Sequence, residues 1–220
     1  PHCRPRFRGG HLCWPLGYRQ RWESSLVWRQ RVEQVAWILW WHCARSSVGS
    51  MSESVAIVWD DAMVAYDFGR GHPLSPIRVR LTMDLADQLG LLALDNVDVV
   101  QPAQASPAEL GLVHSAEYIN AVTACSEPGA ECQFEYGLGT DDNPLFADMH
   151  KASALIAGAT LDAARTVWSG EHDHAINIAG GFHHAMADSA SGFCVYNDLA
   201  LGISWLLANG AQRVVYIDVD

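Results

Sequence analysis

From residue 51 onward the hydrophobic pattern changes period again and again, short apolar runs alternating with stretches spaced for helix. Residues 55–59 (VAIVW) have no polar member, as expected of a strand buried on both faces. Ser75 and Pro76 supply an N-cap and a first-turn proline for a helix running to about Leu89 and ended by Gly90. Residues 97–101 are β-branched and strand-like, closed by Pro102. Ser106-Pro107 opens another helical start, and residues 115–125 set Tyr118, Ile119 and Val122 on one face. A flexible acidic stretch follows at 126–144, holding Gly129, Gly137, Gly139 and Pro144. The longest helix is then expected over about 145–168, with Ala152, Ile156, Ala159 and Ala163 along one side and Gly170 as its stop. Residues 175–179 (AINIA) read as a strand and 197–209 as a helix capped by Asn197 and terminated at Gly210. Residues 213–220 (RVVYIDVD) read as the last strand.

Buried strands alternating with helices predict an α/β fold, a parallel sheet with helices on both faces. Ligands of such sheets collect on the loops that follow the carboxyl ends of the strands. Two segments then share a rim: the loop 180–193 and the acidic end of 213–220.

Composition breaks near Met51. Residues 1–50 hold eight Arg against two Glu, six of the nine Trp, and no Lys, Asp, Asn, Thr or Met. The chain as a whole carries 14 basic and 25 acidic residues, a formal charge of −11, so the remainder is strongly acidic. That surface repels phosphate backbones and argues against a nucleic-acid partner. The longest apolar run, at 35–41, has seven residues, far short of the roughly 20 that span a bilayer. No membrane role is expected. Residues 1–50 are read as an upstream extension, non-native or disordered, with the natural protein starting at Met51. A basic, Trp-rich segment lying on a membrane surface, with one or two helical turns within 26–41, is the competing reading. Cys125, Cys132 and Cys194 show no paired spacing, which suits a reducing compartment, the cytoplasm.

Candidate chemistry concentrates on the rim. In Gly180-Gly181-Phe182-His183-His184 two glycines permit a sharp turn, and two histidines directly after a strand can reach one cleft. Imidazole takes and returns protons near neutral pH. Asp218 and Asp220 alternate along one strand and therefore share a face. They emerge where an apolar run ends, placed to ligate a cation or to orient a histidine. Taken separately, the histidines also fit a surface loop and the acids a solvated strand end.

Together these runs match a family. Tyr66, Gly71-His72-Pro73, Pro76-Ile77-Arg78, Gly137-Leu138-Gly139-Thr140, Asp142-Asn143-Pro144, Gly181-Phe182-His183-His184, Ser191-Gly192-Phe193-Cys194, Asn197-Asp198 and Ile217-Asp218-Val219-Asp220 follow one another at its spacing. From about residue 55 to 220 the sequence resembles the histone deacetylase superfamily, most closely its bacterial acetoin utilisation branch. The resemblance implies the three-layer arginase/deacetylase fold and a zinc-dependent amide hydrolase removing acetyl groups from lysine-like amines. It implies Asp220 as a zinc ligand and His183 and His184 as the dyad that deprotonates the bound water, with Asp218 as the carboxylate partner of His183. Asp142, or Asp141 in its place, would fix the substrate backbone at the rim. Gly192, Phe193 and Phe182 would wall the acyl-lysine tunnel, and Arg78 would stand in a channel behind it. Iron in place of zinc, and a structural potassium near Asp218, belong to the same implication. The family's remaining ligands and its oxyanion tyrosine come after the Asp-x-Asp strand, so the chain is expected to be the amino-terminal part of the domain and inactive alone. The expected substrate is acetylated protein lysine. A small acetylated amine or polyamine, or an inactive fragment, are the alternatives.

Other signals are plainer. His172 and His174 read as residues of an exposed loop, His114 and His150 as packing or surface residues on helical stretches. Asp60-Asp61 reads as a solvated turn and Cys194 as a small buried apolar residue. No nucleophile-elbow, Walker or dinucleotide fingerprint is present.

Overall fold

The structure is a computed structural model that describes residues 53–219 and, from the first fifty, one short hairpin. In that hairpin β1 (Phe7–Arg8) pairs antiparallel with β2 (His11–Leu12). The chain divides into two units, Pro1–Ser50 and Met51–Asp220. The upstream-extension and helical-turn readings within 1–50, the start at Met51 and the ligand role of Asp220 lie outside the described residues.

The second unit is built on a parallel sheet in the order β4-β3-β5, with β3 at Val55–Val58, β4 at Val97–Val100 and β5 at His174–Ile176. Ile57 stands opposite Val99 on one side and Ile176 on the other. Parallel neighbours need crossovers. From β3 to β4 the chain passes through a 3₁₀ turn (Asp61–Ala65) and α1 (Ile77–Gln88). From β4 to β5 it runs through α2 (Pro107–Leu110), α3 (Ala116–Cys125) and α4 (Met149–Ser169), and α5 (Asp198–Ala208) follows. This is the expected α/β architecture.

The local signals hold at most ends. Ser106 and Glu109 form a reciprocal capping box, Ser115 accepts the Tyr118 N–H, and Asn197 accepts the Ala200 N–H. Ser75 does not cap α1: Pro76 occupies the cap position, and no side-chain bond closes it. The longest helix starts at Met149 rather than 145, because Asp148 adopts a left-handed turn with φ 57°. Strand β5 ends at Ile176, short of the expected 179. There the Asn177 amide donates to Ile156 O and Thr160 Oγ1, while its own Oδ1 takes the Ala179 N–H. An asparagine that satisfies the backbone this way turns the chain out of the ladder.

Two expectations are corrected. Residues 213–219, expected as the last strand, carry no strand and stand largely in solvent, Ile217 79% and Val219 96% exposed. A continuous apolar run at 214–217 makes a segment able to pair, but a strand exists only where a neighbour completes its ladder, and the described residues give it none. His172, expected in an exposed loop, is buried: its ring nitrogens contact Thr166 Oγ1 (2.6 Å) and Asp98 Oδ2 (3.0 Å), tying the end of α4 to β4. His174 is exposed as expected, against Glu53, but it opens β5 opposite Val55 rather than lying in a loop.

Helix α4 is the centre of the unit, packed on β3, β5, α3 and α5. Ala152, Ile156 and Ala159 are buried as the periodicity predicts, and Ala154, Leu155, Ala157 and Leu161 are buried as well. Among the described residues no helix is long and apolar enough to cross a membrane.

His114 lies just ahead of the Ser115 cap, not on a helix, and is 3% exposed. Its Nε2 accepts the Asn197 N–H at 3.0 Å, and the Tyr118 and Tyr196 rings flank it. Burial lowers its pKa to about 4, while an unfolded histidine titrates near 6.5. The neutral ring therefore contributes stability that is complete above pH 6.5 and is lost as the pH falls toward 4. The loss is on the order of 3 kcal/mol. Urea denaturation at pH 7 and pH 4.5 is expected to show it, and His114→Gln to remove that share of the difference.

Candidate active site

The segment that follows β5 carries both candidate histidines. Its backbone is held from below by α5: the Asp198 carboxylate accepts the N–H groups of Gly181 (3.2 Å) and Phe182 (2.8 Å) and the Thr160 hydroxyl (2.6 Å). The neighbouring Asn197 amide donates to the carbonyls of His183 (3.1 Å) and Ala185 (3.0 Å). The rings of His183 and His184 stand 4.2 Å apart, nearly perpendicular. His183 Nδ1 contacts an Asp218 carboxylate oxygen that also receives the Tyr216 hydroxyl. A carboxylate at Nδ1 favours the tautomer protonated there and fixes the orientation of the ring. The His184 ring packs against Gly192 so closely that a Cβ there would lie 2.6 Å from it, so only glycine fits.

Gly192 leads into the wall of the site. Asp142 accepts the Gly192 N–H at 2.6 Å, joining the 137–144 loop to the 191–194 turn. Phe193 then adopts φ 67°, a left-handed backbone that costs an ordinary side chain of order 1 kcal/mol. Tyr66 holds it there: the phenol donates to Phe193 O (2.7 Å) and accepts the Val195 N–H (3.2 Å). The same ring stacks on Phe182 with centroids 4.6 Å apart. Both candidate wall phenylalanines thus rest on one buried tyrosine, whose pKa burial pushes well up, so it stays a neutral donor. Behind it lies a cavity of about 20 Å³, lined by Tyr66, Arg78, Ile156 and Phe182 among others, room for about one water. Arg78 reaches this lining from α1 while its residue is largely exposed.

The fold therefore gathers His183, His184, Asp218, Gly192, Phe193, Phe182 and Asp142 through direct contacts or one shared neighbour. Asp141 is exposed, with no bond to the 191–194 turn. Cys194 is buried as expected, its thiol pushed up to about 11 by burial, which keeps it protonated. Among the described residues no group of three His, Cys, Asp or Glu could hold a metal ion. Tyr66, Thr160, Asn197 and Asp198 were not singled out for site roles by the sequence. Asn197 reads locally as a helix cap, and Asp198 as an acid in a first turn suited to the helix dipole. Nothing local shows that both side chains face a loop 12 to 17 positions earlier.

The family model for the histone deacetylase domain matches residues 72–220. The chain is 44% identical over 172 residues to the acetoin utilization protein AcuC of Bacillus subtilis (strain 168), covering 77% of this chain and 44% of that protein. It is 35% identical to the AcuC protein of Staphylococcus xylosus, covering 79% of this chain and 45% of the relative. Among solved structures it resembles the crystal structure of an HDAC homolog from Aquifex aeolicus, with a TM-score of 0.64 and 30% identity over 73% of this chain and 43% of that one. The chain thus spans somewhat under half the length of the relatives it matches.

Proposed function

The chain belongs to the histone deacetylase family, and on that premise we propose that it carries the proton-transfer and tunnel-wall parts of a hydrolase that releases acetate from acetylated lysine side chains. One observation carries the reading: His183 meets Asp218 through Nδ1 while the His184 ring stands 4.2 Å away on the same rim. The His183–His184 pair takes a proton from attacking water and returns it to the departing amine, a contribution of about 10²–10⁴-fold. Asp218 holds the tautomer and favours the cation that forms between the two transfers. Phe182 and Phe193, fixed by Tyr66, offer the apolar walls that a neutral acyl-lysine stem requires. Asp142 at the mouth gives a carboxylate for the substrate's backbone N–H groups.

The described residues do not by themselves make a metal site. Zinc enters this reading through family membership and through Asp220, its ligand within this chain. When bound it would polarise the acetyl carbonyl and acidify a water. The free thiols of Cys125, Cys132 and Cys194 suit a cytoplasmic setting.

The test measures acetate release from an acetyl-lysine peptide, with and without zinc, by this chain and by this chain joined to the part of the Bacillus subtilis relative that it does not span. Zinc-dependent release from the joined chain is expected, faster with the peptide than with an N-acetylated polyamine. A folded joined chain that releases no acetate from either substrate would sink the proposal. A preference for the polyamine would move the substrate to small amines.

A further inference from the structure

We infer that Asn197 and Asp198, at the start of α5, are positioning residues that set the geometry of the His183–His184 pair. Asp198 is completely buried, and taking a carboxylate out of water is costly unless donors surround it. Burial raises its pKa, and the hydrogen bonds that oppose this shift come from the loop before the histidines and from α4. The Gly181 and Phe182 N–H groups and the Thr160 hydroxyl all converge on its two oxygens. Thus the backbone immediately before His183 is pinned through its donors.

Asn197 pins the same loop through its acceptors. Its amide donates to the carbonyls of His183 and Ala185, one on each side of His184, while its Oδ1 caps α5 through the Ala200 N–H. Donors at 181 and 182 and acceptors at 183 and 185 are therefore all tied to two consecutive residues at one helix start. Gly181, with φ 102°, would otherwise be the freest joint of the loop. A helix cap alone needs only the Asn197 Oδ1 bond, and a dipole partner could sit in solvent. The four loop contacts have no use in forming α5. Their effect falls on the two rings, which the loop hands to Asp218 and Gly192.

This inference deepens the proposed function without depending on its assay, because it concerns where the rings sit. The test is NMR of the isotope-labelled 220-residue chain and three variants: Asn197→Ala, Asp198→Asn and the milder Thr160→Val. The Leu110→Ala chain, a core truncation in α2, controls for general loss of stability. Removing hydrogen bonds to a buried charge is expected to speed amide exchange at Gly181 and Phe182 roughly 10- to 100-fold in Asp198→Asn, beyond any change at β3. The imidazole resonances of His183 and His184 should shift and their ring-to-ring contact weaken in Asn197→Ala and Asp198→Asn, and remain in place in Leu110→Ala. Should the first two fail to fold, Thr160→Val is expected to give the same ring signature at smaller size. Ring resonances unmoved in every folded variant, or moved equally in Leu110→Ala, overturn the inference. Absence of deacetylation by a joined chain whose rings are intact would count against the proposed function and leave this inference standing.

Discussion

Replacing His184 with alanine in the joined chain is expected to lower acetate release at least ~100-fold, the lower bound for loss of a positioned proton-transfer group. The fall should appear in kcat, since the imidazole acts on a proton in flight rather than on the resting acyl chain. His184 is exposed at the rim, so the urea midpoint should move by no more than about 0.5 kcal/mol in stability. The two readings together separate chemistry from folding. A His184→Ala chain that keeps its rate would remove the proton-transfer role and, with it, the reason for packing the His184 ring against Gly192.

The largest effect on stability is expected from Gly158→Ala. In an unpacked helix this change adds up to about 1 kcal/mol of stability, because alanine is the better helix former. Here a Cβ would lie 1.9 Å from Ala103 O and 2.7 Å from Ala105 N, both main-chain atoms that cannot rotate aside. The segment after β4 lies directly across α4 at one turn's spacing: Ala154 O accepts the Ala105 N–H, and the Asp162 carboxylate accepts the Ala103 N–H. Residues 154, 158 and 162 stand on one stripe of the helix. Both ends of the contact are bonded, so the added methyl must push the strand connection off the helix. The loss is expected at about 3 kcal/mol, the upper end for overpacking, or more if the two bonds break. Urea denaturation checks it; a midpoint equal to or above the parent chain's would show that segment 103–105 yields without cost.

The same helix shows how far periodicity reaches. One apolar side, Ala152, Ile156, Ala159 and Ala163, is legible because a 3.6-residue period puts those positions together whatever lies opposite. The burial of Ala154, Ala157 and Gly158 is not legible in this way. It arises because the sheet, α5 and the 103–105 crossing close on different sides of α4, so that small residues are needed nearly all round. Similarly, the apolar run 175–179 announces a strand, but Asn177 ends it at 176 through bonds to residues 17 and 21 positions earlier. The apolar run in 213–219 announces a segment able to pair, and only a neighbouring ladder could have made it a strand. Asp218 nevertheless reaches His183 from this irregular segment, since one extended stretch of backbone is enough to carry a side chain across.

What the sequence determined by itself was the order of strands and helices as far as α5, the helix stops, where Gly90, Gly170 and Gly210 take left-handed backbone, and the place of the Gly-Phe-His-His run just past a strand. These depend on preferences expressed within a few residues of each position. Tertiary structure alone decided that Tyr66 holds Phe193, that His172 and His114 are buried, and that Asp198 grips the loop beneath the histidines. A buried polar group is tolerable only if its partner arrives, and for Tyr66, His114 and the loop contacts of Asp198 the partners lie 16 to 129 residues away.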